Sequence, residues 1–240
     1  MLSKFLISFV GWSAYYIGAV LKWLFLRVEI AGWENLPASG PLLIVSNHFS
    51  WFEAPLIILC LPFQVRFVVM SELADLWYFR PIALTHGMIA IKRGRIDRNA
   101  LREIGNGLAD GDVVGIFPEG GIDPELQTAV SQGESTQGRG QVSRMTAQLI
   151  PPRAGTALLA TRSQVPILPI GFVGTEKVMG NLMRGRRTAV SMHIGKPFGP
   201  LTLPSDARGK AKRQQLEQLG HEMMQQIANL LPLENRGVYR

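Results

Sequence analysis

Leu42-Leu43-Ile44-Val45-Ser46-Asn47-His48-Phe49-Ser50-Trp51-Phe52-Glu53 opens as an apolar run and ends as a turn that carries a histidine and, five positions later, a carboxylate. An apolar run of this length, bounded by Pro41 and Asn47, predicts a buried strand over 42–46. The apolar residues after Trp51 predict a helix that begins near that position, so His48 falls at a strand-to-helix junction. In layered α/β folds such junctions gather at one sheet edge and expose backbone amides and side chains there. A histidine so placed can take a proton from an attacking hydroxyl if a carboxylate holds its tautomer, and Glu53 is the nearby candidate. Taken alone, the pair fits a surface ion pair as well.

On both sides of this stretch the same alternation continues. Strands are predicted over 28–31, 65–70, 88–92, 113–117, 165–173 and 189–194, and helices over 72–79, 98–108 and 156–162. A C-terminal amphipathic helix follows, with Leu216, Leu219, Met223, Ile227, Leu230 and Leu231 at three-and-four spacing. This rhythm implies an α/β fold, a sheet with helices on both faces. Residues 122–152 interrupt it with Gln, Ser, Thr and Gly, and are expected to form a long loop or lid insertion.

Three further blocks accompany the histidine turn in order: Gly87-Met88-Ile89-Ala90-Ile91-Lys92-Arg93, then Phe117-Pro118-Glu119-Gly120-Gly121, then Val165-Pro166-Ile167-Leu168-Pro169-Ile170. The ordered set resembles the glycerophospholipid acyltransferase family, which includes 1-acylglycerol-3-phosphate acyltransferases, over roughly residues 28 to 198. The resemblance implies a single mixed sheet flanked by helices. It also implies transfer of a fatty acyl group from a thioester, acyl-CoA or acyl-carrier protein, to a hydroxyl of a lysophospholipid, with no cofactor beyond the donor and no metal.

On that resemblance His48 is the general base and Glu53 its partner, although the family's usual residue at that place is aspartate. Glutamate adds about 1.5 Å of reach and one more torsion to restrain. Arg93 matches the arginine that contacts the acceptor's phosphate, with Lys92 adding positive potential. Glu119 and Gly120 match the acceptor-binding block, in which the glutamate bonds a glycerol hydroxyl or orients a basic neighbour. Family members commonly continue with Thr-Arg after this glycine, whereas this chain has Gly121-Ile122. Arg153 resembles a later basic position that partly compensates, and Arg139 and Arg144 lie in the insertion before it. Asn47 and Ser50 read as helix-capping or loop-holding residues. Two departures, Glu53 and Gly121-Ile122, keep open a catalytically weak or inactive lipid-binding module of the same fold, and a thioester hydrolase is a further alternative.

The 240 residues fit one acyltransferase domain, 27–240, preceded by an apolar segment, 1–26. Residues 5–21 hold no charge and are flanked by Lys4 and Lys22, with Trp12, Tyr15 and Tyr16 among them. Seventeen residues are marginal for spanning a bilayer, and aromatic residues at several heights suit a helix lying in the interface. The segment is therefore expected to associate with the membrane, in a monotopic or peripheral manner on its cytoplasmic face. A net charge of +7 favours anionic surfaces, and no zinc-finger or RNA-recognition pattern points to nucleic acid. One cysteine, Cys60, excludes an internal disulfide, and the histidines outside the turn show no metal-like spacing.

Overall fold

A computed structural model of the chain describes residues 4–240 except 78, 92–97, 123–141, 145 and 205–207. Every apolar run predicted as a strand is one. The strands are β1 (Leu26–Ala31), β2 (Leu42–Ser46), β3 (Val65–Met70), β4 (Ile89–Ile91), β5 (Val113–Ile116), β6 (Ile167–Val173) and β7 (Thr188–Ile194). They form one sheet in the order β1-β7-β6-β2-β5-β3-β4. Its pairs are parallel apart from β6 with β7, so β1 and β7 run against the other five and the sheet is mixed.

The central strand β2 is buried on both faces, which explains why its sequence is continuously apolar rather than alternating. Leu42 and Ile44 face one core layer, where Leu56 and Ile57 of α2 (Glu53–Cys60) pack with Phe172. Leu43 and Val45 face the other. There they meet α5 (Arg98–Ala109), α6 (Ala154–Ser163) and α8 (Gly209–Ala228) through Ile104, Ala157, Met223 and Ile227. The spacing predicted for the C-terminal helix thus marks its core face.

The chain leaves β2 toward α2 on one face and leaves β5 toward α6 on the opposite face. Adjacent parallel strands whose connections depart to opposite sides open a crevice at their carboxyl ends. His48 follows β2 and Glu119 follows β5, so both sit at this crevice.

Some boundaries differ from expectation. The helix predicted over 72–79 is two short ones, α3 (Ser71–Ala74) and α4 (Arg80–Thr85), because Pro81 at the first turn favours a new helix start over continuation of an old one. The strand predicted from 165 begins at Ile167: the Pro166 carbonyl accepts from Leu43 N–H, but proline has no N–H to extend the ladder. Of the predicted insertion, residues 122, 142–144 and 146–152 are described, and the rest lies outside the described residues.

The apolar N-terminal segment is one helix, α1 (Lys4–Phe25). Gly11 lets it approach Thr85 of α4 so closely that a Cβ there would overlap that side chain, and Gly18 passes over Leu59 of α2. Near its end, Lys22 Nζ donates to the Leu59 carbonyl at 3.4 Å. The face turned away from these contacts exposes Phe9, Trp12, Tyr16, Val20 and Trp23, spaced three and four apart. Among the described residues, no helix is long and apolar enough to cross a membrane.

Candidate active site

Three chain segments converge at the crevice. The turn after β2 brings His48, and its Nδ1 lies 3.2 Å from Glu53 Oε2. Glu53 opens α2 and is fully buried. Its Oε2 also accepts the Ser50 backbone N–H at 3.0 Å, and its Oε1 accepts the hydroxyl of Thr175, which follows β6. The carboxylate is thereby held from three directions. The glutamate side chain thus reaches from the first turn of α2 to the histidine, its two oxygens holding three contacts.

The imidazole stacks on Phe117, with ring centroids 3.9 Å apart and planes 9° from parallel. With Nδ1 facing the carboxylate, the neutral ring carries its proton there and Nε2 is the acceptor nitrogen. The side chain is 17% exposed. His48 is therefore oriented by a buried acid, backed by an aromatic plane and open on one side, the arrangement general-base chemistry requires.

Glu119 is fully buried as well. Oε1 accepts the His48 backbone N–H at 2.9 Å, and Oε2 pairs with Arg144. Burial pushes the Glu119 carboxyl above the usual carboxylate range, against the pull of the Arg144 guanidinium and the His48 amide. Arg144 itself is almost wholly buried, lying over the Phe49 ring. It donates further to the carbonyls of Ile122 at 2.8 Å, Gln148 at 2.6 Å and Gly121 at 3.2 Å. Its donors are thus directed to protein groups.

Residues 142–144 reach this position by pairing antiparallel with the histidine turn. Trp51 N–H donates to Val142 O, Arg144 N–H donates to Phe49 O, and Ser50 bridges Ser143. Ser50 Oγ donates to the Val142 carbonyl at 3.2 Å. Of the two roles expected of Asn47, helix cap or loop holder, the second is found. Its Oδ1 accepts Phe172 N–H at 2.7 Å and its Nδ2 donates to Phe172 O at 3.0 Å, so the side chain extends the β2–β6 ladder by one rung. Helix α2 begins after Phe52 with no side-chain cap.

Gly120 has φ +70°, and Arg153 crosses it so closely that a Cβ would overlap the arginine's Cδ. Arg153 is half-buried at the start of α6, its backbone N–H donating to Pro118 O at 2.9 Å. The structure thus brings His48, Glu53, Glu119, Gly120 and Arg153 together. Lys92 and Arg93 lie outside the described residues, as does Arg139. Sequence reasoning missed Thr175, which sits 122 positions from its partner with no local signal, and the pairing of Arg144 with Glu119. Among the described residues, no cluster of three or more His, Cys, Asp or Glu side chains converges as metal ligands do.

Several known proteins are similar to this chain. The lyso-ornithine lipid O-acyltransferase of Rhizobium meliloti is 33% identical over 97 residues, 40% of this chain and 32% of that protein. That of Brucella abortus is 35% identical over 96 residues, 39% and 34% of the two chains. The matches thus span about a third of the length of these curated relatives. The 1-acyl-sn-glycerol-3-phosphate acyltransferase of Bacillus subtilis is 22% identical over 85% of this chain and 91% of its own. The fold matches the crystal structure of the 1-acyl-sn-glycerophosphate acyltransferase from Thermotoga maritima, with a TM-score of 0.57 and 23% identity over 90% of this chain and 76% of that one. The acyltransferase family model matches residues 27–173, which contain the histidine turn, the Glu119 turn and the strand that delivers Thr175; the chain belongs to the acyltransferase family.

Proposed function

We propose that the protein transfers a fatty acyl group from a thioester, acyl-CoA or acyl-carrier protein, to a free hydroxyl of a lysophospholipid such as 1-acylglycerol-3-phosphate. The observation that carries this reading is the His48–Glu53 pair, buried at its acid end and open at its imidazole end. His48 Nε2 accepts the proton of the acceptor hydroxyl as that oxygen attacks the thioester carbonyl. The tetrahedral intermediate collapses with cleavage of the carbon–sulfur bond, and the imidazolium returns its proton to the departing thiolate. Glu53 stabilises the imidazolium between these steps and keeps the ring in one tautomer. Attack is direct, so no acyl-enzyme forms.

Lys92, Arg93 and Arg153 are proposed to hold the acceptor headgroup, since guanidinium groups bind two phosphate oxygens at once. Glu119 and Gly120 contribute by fixing the wall of the site: the glutamate anchors the His48 backbone, and the glycine admits Arg153. The exposed apolar stripe of α1 supports attachment to the membrane surface, where a lysolipid acceptor resides. A lyso-ornithine lipid acceptor is a second reading. It is supported by the similarity to proteins of that name and by Ile122 standing where a phosphate-binding arginine was expected.

The test is acyl transfer by purified protein with acyl-CoA or acyl-carrier protein and a panel of both acceptor types. Diacyl product is expected from wild type, with loss of at least about 10²-fold in His48→Ala and an unchanged melting temperature. Full activity in that variant refutes the assigned base. Free fatty acid released equally with and without acceptor points to hydrolysis instead.

A further inference from the structure

The sheet edge that carries the histidine also carries a surface the reaction does not use. Because β1 and β7 run against β2, β5 and β6, their starting ends lie beside the finishing ends of those strands. The connection from α7 (Val178–Leu182) into β7 and the junction of α1 with β1 are therefore on the active-site edge. That connection reads Leu182-Met183-Arg184-Gly185-Arg186-Arg187, and every residue of it is exposed, Met183 at 83%. Arg187 Nη2 donates to the carbonyls of Trp23 at 2.7 Å and Leu26 at 3.0 Å, which fastens the connection to the end of α1. Trp23, 74% exposed, ends the apolar stripe of that helix. Among the described residues, the side chains of Arg184 and Arg186 are in no hydrogen bond or ion pair.

We infer that residues 182–187 are a second membrane contact that binds anionic phospholipid headgroups, placed so that docking turns the His48 edge toward the lipid layer. Two guanidinium groups beside apolar tips match the chemistry of a bilayer interface, where arginine meets phosphate and methionine or leucine enters the acyl boundary. An acidic protein would be recognised by the charges but gives no reason for Leu182 and Met183 to be exposed beside them. The Arg187 contact with Trp23, which joins the connection to the α1 stripe, makes a lipid surface the better fit. The inference rests on the proposed membrane attachment and adds to it a lipid preference with an address.

The experiment is sedimentation of the full chain with vesicles of phosphatidylcholine alone and with vesicles in which about a third of the lipid is phosphatidylglycerol. Wild type is expected to bind both, the anionic ones more tightly at low salt. R184Q/R186Q should weaken binding to anionic vesicles by about thirtyfold and leave binding to neutral ones unchanged. K210Q/R213Q, which removes equal charge from exposed positions on α8, should keep the preference. Equal loss in both double variants means that net charge is responsible and overturns the assignment. A preference retained in R184Q/R186Q overturns it too, including the case in which that variant raises KM for acyl-carrier protein and marks a protein-docking patch. If wild type binds both vesicle types equally, the inference falls while membrane attachment stands; if it binds neither, membrane attachment itself fails.

Discussion

Shortening Glu53 by one carbon tests whether the site is built around its glutamate. Glu53→Asp withdraws the carboxylate by about 1.5 Å along the side chain. The Nδ1 to Oε2 separation, 3.2 Å in wild type, then grows to about 4.7 Å, beyond hydrogen-bond range. The Ser50 N–H and the Thr175 hydroxyl approach the carboxylate from other sides, so no single movement of the shorter acid restores all three bonds. The backbone has little freedom to follow. Position 53 opens α2, whose next turn buries Leu56 and Ile57 in the core, and displacing that turn costs packing.

Two measurable effects follow. An imidazole no longer held in one tautomer loses much of the 10²–10⁴-fold that a positioned base contributes, and kcat/KM should fall by about 10², roughly 2.7 kcal/mol of transition-state stabilisation. Leaving the Ser50 amide and the Thr175 hydroxyl short of a buried acceptor should also cost about 1–3 kcal/mol of stability, seen as a lower melting temperature. The assay pairs initial rates of acyl transfer with thermal melts. A Glu53→Asp protein that transfers acyl groups at or above the wild-type rate and melts at the same temperature refutes the claim that the glutamate is fitted to this backbone.

Three further outcomes are expected. Removing either member of the buried Glu119–Arg144 pair by Glu119→Gln or Arg144→Met should destabilise by about 3–5 kcal/mol in urea unfolding, while the double variant should lose clearly less than the sum; strict additivity would mean the two groups are uncoupled. Thr175→Val removes the bond to Glu53 Oε1 and should lower kcat several-fold with KM unchanged, whereas Thr175→Ser should restore it; equal rates in all three proteins would leave Thr175 without a positioning role. Burial holds the His86 imidazole below its usual range near 6.5, so on acidification the unfolded chain takes up this proton before the folded one; the associated stability is present above that range and is lost as pH falls through it, and melts of wild type and His86→Gln at neutral and mildly acidic pH should diverge in that sense.

The strands could be read from the sequence because each is a short apolar run closed by a turn signal, and burial of both faces of the central strands removes any competing pattern. His48 and Glu53 could be read because six consecutive residues, from the turn after β2 to the first residue of α2, carry both partners. What closes the site could not. Thr175 reaches Glu53 through the β2–β6 pairing, a relation set by sheet order, and nothing local to either residue records it. For Asn47 the residue type leaves cap and loop-holding roles open; its amide matches a peptide group in donor and acceptor, which lets it supply a ladder rung once β6 lies alongside. Arg144 was one of three candidate arginines, and its inward turn depends on where residues 142–144 of the insertion rejoin the histidine turn.

That re-entry follows from the electrostatics of Glu119. A carboxylate buried after β5 requires a cation, and an uncompensated one would cost several kcal/mol. Position 122, where the resemblance leads one to expect arginine, is a buried isoleucine whose carbonyl instead accepts from Arg144 Nε. The cation therefore comes from 25 residues beyond Glu119, and delivering it draws residues 142–144 across the turn that holds His48. The same pairing that neutralises Glu119 gives the turn three of its backbone constraints: Phe49 O, Trp51 N–H, and His48 N–H through the glutamate itself. Compensation of the buried charge and immobilisation of the proposed base are thus one structural event. A change that weakens the grip of residues 142–144 would loosen the histidine without touching it.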